Sequence, residues 1–281
     1  MNLLSILFGL TSNSFILIWF RLEIRIFSFL IILLLYQHNL RNSHVVKYFI
    51  FQAFSSVVLI ISLCKGLLFN DILFLITIIK LGAAPFHIWF ISIVKTLSLR
   101  HFFWLAVPQK IIPLRLVQVI PIPSSSFNKI LLVRVVLASL HIITQFKFMK
   151  ILAASSIYIT PWILFSFYSS DFIGWIFFTA YSGIQGLTLI VVFKIKAKSD
   201  PLNNIQSSVG YFGVLTLVLM MAGFPPRPLF FMKLRILIHL FLAKFGISAI
   251  ALIVIASISM FTYLNIISIG VLIGSRHQIV N

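Results

Sequence analysis

Long, nearly unbroken apolar runs alternate with short polar connectors along this chain. A run of about 20 apolar residues crosses a bilayer as a helix rising about 1.5 Å per residue. Runs near 3–20, 24–38, 46–63, 71–95, 102–120, 130–146, 151–168, 172–193, 207–238 and 247–270 predict about ten transmembrane helices. A transmembrane barrel would instead alternate polar and apolar positions over strands of about 10 residues. The runs here are continuous, so the pattern predicts an all-α polytopic membrane protein.

Two runs carry signals against an unbroken helix. The stretch from Asp71 to Lys95 reads DILFLITIIKLGAAPFHIWFISIVK, with Lys80 and Pro85 near its centre. Proline removes a backbone donor and clashes with the preceding turn. The run at 207–238 is too long for one crossing and is interrupted by GFPPRP at 223–228. Gly82, Pro85, Gly223, Pro225 and Pro226 are therefore the expected helix breaks. Counted in order, each set of five spans has its broken member in fourth place. Five is odd, so the two sets would be inverted repeats with broken helices, an arrangement many transporters share. The expected division is a first repeat over 1–120 and a second over 121–281, forming one membrane domain with no soluble domain.

Composition agrees. The chain of 281 residues is 61% hydrophobic and only 9% charged, with mean hydropathy +1.14; soluble domains carry about 25% charged residues. Net charge is +18, from 22 Lys and Arg against four acids, Glu23, Asp71, Asp171 and Asp200. In a soluble protein this would point to nucleic acid. Here most basic residues sit at run ends, where they orient helices and meet anionic lipid such as cardiolipin, so nucleic acid is not an expected partner. Arg41, Lys47, Lys95, Arg100, Lys147, Lys150, Lys194, Lys196, Lys198 and Arg276 fall on one side, against Arg21, Arg25, Lys65, Lys129 and Lys244 on the other. The positive-inside rule then puts both termini on the cytoplasmic or matrix side. Cys64 is the single cysteine, which excludes an intrachain disulfide and a multi-cysteine metal or iron–sulfur site. The apolar start MNLLSILFGL lacks the basic opening of a signal or transit peptide, so direct insertion or synthesis inside the organelle is expected.

The candidate chemistry lies in ionisable residues inside these runs. A lysine at mid-membrane costs about 2.5–3.5 kcal/mol on insertion scales, which makes it a functional candidate by default. Lys80 sits beside the Gly82–Pro85 break, which would free carbonyls and admit water. Desolvation makes an ammonium easier to deprotonate, as a reversible proton carrier requires. His87, just beyond, reads equally as a relay or as a packed histidine. Lys110 lies between Pro108 and Pro113 in VPQKIIPLR. Lys233 follows the second break, at mid-membrane if that break is central and at the interface if two short helices meet at the surface. Glu23 reads either as part of a surface cluster with Arg21 and Arg25 or as the partner of Lys80. No phosphate loop, nucleotide motif, paired catalytic carboxylates or metal-ligand histidine spacing is present.

At these residues the chain resembles the antiporter-like membrane subunits of respiratory complex I, NADH:ubiquinone oxidoreductase, in a mitochondrially encoded, short nematode-like form. WFRLEIRIFSF at 19–29 resembles W-x-G-L-E-x-N-x-x-x-F, and VKYFIFQAFSS at 46–56 resembles K-Y-F-x-x-Q-A-x-x-S. IKLGAAPFHIW at 79–89 is similar to K-L-G-x-A-P-F-H-x-W, the most specific of the set. PQKIIPL at 108–114 resembles W-Q-K-x-A-P-x, MKILAASSI at 149–157 resembles R-K-x-L-A-Y-S-S-I, and AGFPPRPLFFMK at 222–233 resembles G-G-L-P-P-L-x-G-F-x-P-K.

The resemblance implies a proton-translocating membrane-arm subunit of the mitochondrial inner membrane, with matrix-side termini. Neighbouring antiporter-like and other membrane-arm subunits would be its partners. It implies Glu23 paired with Lys80, Lys110 as the bridging lysine and Lys233 as the lysine of the second half. No cofactor is expected on the chain itself; NADH, FMN, iron–sulfur clusters and ubiquinone would act on other subunits. The sequence departs from the pattern after S-S-I. The family continues x-H-x-G-W, but here the places hold Tyr158, Ile159, Thr160, Pro161 and Trp162, so a relay there falls to Tyr158, Thr160 or water. A final helix of longer relatives is expected to be missing after Tyr263. Two rival readings remain: a standalone cation–proton antiporter, disfavoured by the scarcity of acids, and a structural subunit whose lysines lie against apolar walls.

Overall fold

The computed structural model describes residues 14–36, 43–64, 70–94, 97–120, 131–133, 135–140, 148–197, 213, 216–225 and 227–279. The main helices are α1 (Phe15–Tyr36), α2 (Ser43–Cys64), α3 (Asn70–Leu81), α4 (Ile88–Val94), α5 (Leu99–Ala106), α6 (Pro108–Val119), α7 (Phe148–Ser169), α8 (Asp171–Ala197), α9 (Pro228–Leu242) and α10 (Gly246–Ile279). Shorter helical stretches lie at 131–133, 135–140 and 216–222. Strands are absent among the described residues.

Among the described residues, four segments, Val45–Ser62, Met149–Ser169, Asp171–Lys194 and Gly246–Asn265, are long and apolar enough to cross a membrane. α7 is the central one. Buried residues make up 94% of its apolar window, against 39% for α2 and α8 and 33% for α10. It packs on α4, α6, α8 and α9. Large apolar side chains such as Ile16, Phe20, Phe27, Phe54, Ile250 and Phe261 instead face outward from α1, α2 and α10. Exposed apolar surface on this scale suits lipid rather than water. A smaller core of Ile18, Leu22, Leu59, Leu73, Ile76 and Ile112 ties α1, α2, α3 and α6 together.

Three sequence expectations need correction. The runs at 3–20 and 24–38 imply a turn among Arg21, Glu23 and Arg25, yet α1 continues through all three. One apolar helix can carry these charges because Arg25 is buried against neighbouring helices while Arg21 and Glu23 stay partly exposed. Second, the run at 102–120 is two helices, with the break at Val107. Pro108 occupies the first turn of α6, where its missing N–H removes no helical bond. Third, the tail after residue 270 continues as helix to Ile279.

Candidate functional site: buried lysines at helix breaks

The breaks at Gly82 and Gly223 share one geometry. Gly82 has φ +62° and Gly223 φ +81°. Gly82 N–H donates to the Ile79 carbonyl at 3.1 Å and Ala83 N–H to the Ile78 carbonyl at 3.2 Å. At the second break Gly223 N–H donates to Met220 at 3.2 Å and Phe224 N–H to Leu219 at 3.3 Å. Both are Schellman caps, in which a left-handed residue just past the helix end satisfies its last carbonyls. Gly82 is also packed closely. A Cβ there would lie 3.0 Å from the Trp89 ring and 3.2 Å from Phe90. Pro85 and His87 lie in the turn between α3 and α4, and Pro225 follows the second cap; Pro226 lies outside the described residues.

Lys80 occupies the last turn of α3 and is 4% exposed. Its ammonium has no hydrogen-bond partner among the described residues. Glu23 and Arg25 act on it electrostatically with opposite sign. Glu23 is half-buried on α1, within electrostatic reach of Lys80, and makes no hydrogen bond to its ammonium. Gln52 Nε2 lies 3.5 Å from the Lys80 carbonyl, and Trp89 Nε1 donates to the Ile79 carbonyl at 3.3 Å. The break thus leaves carbonyls that side chains reach. His87 is half-buried, and its carbonyl accepts Ile91 N–H at 3.2 Å. None of the three lysine ammonium groups bonds it among the described residues.

Lys110, on α6, is fully engaged. Its ammonium donates to the Ser156 carbonyl at 2.9 Å, Ser156 Oγ at 2.6 Å and Thr160 Oγ1 at 2.9 Å. An ammonium has three donors, and all three are used. The Phe90 and Tyr181 rings lie 5.8 and 5.9 Å away. The surroundings of Lys110 thus combine Ser156 and Thr160 oxygens with two aromatic rings.

Lys233 is 5% exposed, on α9. It reaches back across the second break to the Ala222 carbonyl at 3.0 Å. Its ammonium lies 5.0 Å from the Tyr158 ring and 5.3 Å from the Trp162 ring, within cation–π range. Its side chain is buried among α7 and α9.

α7 stands between these two lysines. Ser156 and Thr160 are four apart and so share one face; Tyr158 and Trp162 are likewise four apart. Residues two apart point about 200° round a helix of 3.6 residues per turn. Lys110 and Lys233 therefore meet opposite faces of the same helix. Pro161 lies within α7 and removes the helical donor to the Ile157 carbonyl beside both faces.

Arg25 was missed in the sequence because it sat at an expected helix start. It is 2% exposed and donates to the Pro108 carbonyl, linking α1 to the helix that carries Lys110. Its signal was legible in the quoted motif, whose asparagine is replaced by this arginine. Among the described residues, no three His, Cys, Asp or Glu side chains gather as metal ligands would.

Capped breaks in apolar helices, with lysines buried beside them, define a helical membrane protein with ionisable groups in its interior. No protein-family model matches the chain. NADH-ubiquinone oxidoreductase chain 2 of Artemia franciscana is 28% identical over 267 residues, covering 95% of this chain and 86% of the relative. The protein of the same name from Anopheles gambiae is 31% identical over 208 residues, covering 68% and 60%. Among solved structures, a chain of respiratory complex I from Thermus thermophilus with bound Aureothin superposes with TM-score 0.79 at 16% identity, covering 94% of this chain and 67% of that one. A chain of the Mrp complex from Dietzia sp. DQ12-45-1b gives 0.76 at 14%, covering 93% and 57%. At these identities the structural likeness is one of fold. Over most of its length the chain is similar to proteins named NADH-ubiquinone oxidoreductase chain 2.

Proposed function

We propose that this chain is an antiporter-like membrane-arm subunit of mitochondrial complex I, coupling NADH-to-ubiquinone electron transfer to proton translocation. The observation that carries the reading is the burial of Lys80, Lys110 and Lys233 beside breaks in apolar helices, each at most 5% exposed. A buried ionisable residue in a transmembrane segment marks an ion or proton path. Glu23 would hold Lys80 charged in one state, and weakening that pairing would release its proton towards Lys110 and Lys233. The redox chemistry would reside on other subunits, with NADH, FMN, iron–sulfur clusters and ubiquinone bound there.

Two inverted five-helix repeats over 1–120 and 121–281, within about ten spans, fit the matched caps at Gly82 and Gly223. In the first, the lysine precedes the cap; in the second, it follows. Both termini would face the matrix, and other membrane-arm subunits would cover the flanks. Phospholipid is a further expected partner. An open cavity of about 440 Å³ between α5 and α8 joins apolar walls from Phe103, Trp104 and Leu189 to the cations Arg100 and Lys194.

The test is Lys80→Met in the assembled complex, with protons moved per NADH oxidised measured in reconstituted vesicles. A fall in that ratio at normal assembly is expected. An unchanged ratio removes Lys80 from the path.

A further inference from the structure

The lysine pair on opposite faces of α7 raises a connection problem. A proton leaving Lys110 must pass round that helix to reach Lys233. At the place where the resembled family carries a histidine stands Ile159, 1% exposed and packed in the apolar core. An isoleucine can neither bind nor release a proton. Any connection has to run through other groups.

Two helices outside the expected path supply them. On α8, Tyr181 and Gln185 are one helical turn apart and share a face. Both are 0% exposed. Tyr181 presents its ring to Lys110 at 5.9 Å, and its hydroxyl interacts with Ser156, itself 2.6 Å from the Lys110 ammonium. On α10, Tyr263 is 1% exposed, interacts with Ser155 and lies within electrostatic reach of both Tyr158 and Tyr181. Tyr158 accepts a hydrogen bond from Ser259 at 2.8 Å and carries Lys233 over its ring at 5.0 Å. Tyrosines thus stand beside both lysines, Tyr181 at Lys110 and Tyr158 at Lys233, with Tyr263 within electrostatic reach of the two tyrosines.

This series is not closed on itself. The Tyr181 and Tyr263 hydroxyls, and both amide atoms of Gln185, lack a hydrogen-bond partner of normal geometry among the described residues. Buried polar groups in folded proteins are almost always paired, with protein or with internal water. A buried water bonds about three such groups. Four unpaired polar atoms on two helices are the lining that such water needs.

We infer that Tyr181, Gln185 and Tyr263 hold internal water and form the relay between Lys110 and Lys233, in place of the missing histidine. This rests on the proton-translocation reading above. Each hydroxyl and each water accepts a proton on oxygen and gives up another, since such groups both donate and accept. One proton leaves the Lys110 ammonium, leaving a neutral amine, and one arrives at a neutral Lys233. No electrons move, and every intermediate group ends with the proton count it began with. Gln185 neither gains nor loses a proton; its amide orients the water.

The experiment compares Tyr181→Phe, Tyr263→Phe and Gln185→Leu with Lys110→Met, all in assembled complex I. Assembly is followed by native electrophoresis and pumping as protons moved per NADH. The relay variants should assemble normally and lower the ratio to the level of Lys110→Met. If Lys110→Met lowers it and the relay variants do not, the inference fails and the lysine reading stands. If none of them lowers it, the lysine reading falls and the relay with it. A high-resolution map of the unsubstituted complex gives a second readout. Ordered water bonded to the Gln185 amide is expected, and an apolar side chain filling that space overturns the proposal.

Discussion

The guanidinium of Arg25 donates to the carbonyl of Pro108, across 83 residues of sequence. This bond fixes α1, which carries Glu23, to the start of α6, which carries Lys110 two residues further on. It also places a positive charge within electrostatic reach of Lys80. Arg25→Met takes the donor away from a carbonyl reached from a fully buried side chain. Hydrogen bonds to charged groups contribute about 1.5–3 kcal/mol. The expected outcome is earlier dissociation of the membrane arm on detergent or thermal challenge. Arg25→Lys would restore part of the loss, because lysine lacks the forked geometry of the guanidinium. A thermal profile of the Met variant coinciding with that of the natural chain would count against the bond.

Gly223 answers two demands at once. Its φ of +81° is strained for any residue with a Cβ, by about 1–2 kcal/mol. An added Cβ would also stand 3.0 Å from Lys233 Nζ. Gly223→Ala should therefore displace the ammonium from the Ala222 carbonyl as well as weaken the cap. The expected phenotype is that of a lysine substitution, with fewer protons moved per NADH, accompanied by modest destabilisation. Destabilisation alone, with the ratio intact, would show that Lys233 tolerates displacement.

The end of α9 uses the same cap with the wrong residue. Lys244 has φ +63°, and the bonds from Lys244 N–H to Phe241 at 3.1 Å and from Phe245 N–H to Leu240 at 3.0 Å complete a Schellman arrangement. Lys244 is exposed. Lys244→Gly relieves the left-handed strain, offset in part by the extra freedom glycine has when unfolded. Stability should rise by up to about 1 kcal/mol, read as a higher midpoint of thermal unfolding. A lower midpoint would mean that the lysine side chain contributes more than the backbone strain removes.

Apolar run length was enough to locate α2, α7, α8 and α10, and proline with glycine was enough to locate the breaks at 82–85 and 223–225. These are local signals: a continuous apolar run resists interruption, and a left-handed cap favours glycine. The break at Val107 left a weaker trace, since Pro108 fits the first turn of a helix as well as it breaks one. The division of α7 into two lysine-facing sides follows from helical geometry but needs the positions of α6 and α9, which no local pattern contains. Arg25 was hidden for the same reason. A charged residue in an apolar run looks like a helix end until the partner, here Pro108, is known to be inside.

Lys110 offers the sharpest separation of positioning from stability. Among the described residues its ammonium donates hydrogen bonds to Ser156 and Thr160, with the Thr160 hydroxyl also donating to the Ser156 carbonyl at 2.7 Å. Ser156→Ala with Thr160→Val removes both hydroxyls and keeps the Ser156 carbonyl as the single remaining oxygen. The two substitutions share one partner, so their effects should couple rather than add. Helix α7 itself loses little, because the replaced hydroxyls bond within their own turn or to Lys110. The lysine loses two of its three acceptors, and a buried ammonium without partners is strongly disfavoured. In the assembled complex the double variant is expected to move fewer protons per NADH than either single variant, at unchanged assembly. If the double variant matched the unsubstituted complex, the polar cradle around Lys110 would serve packing alone.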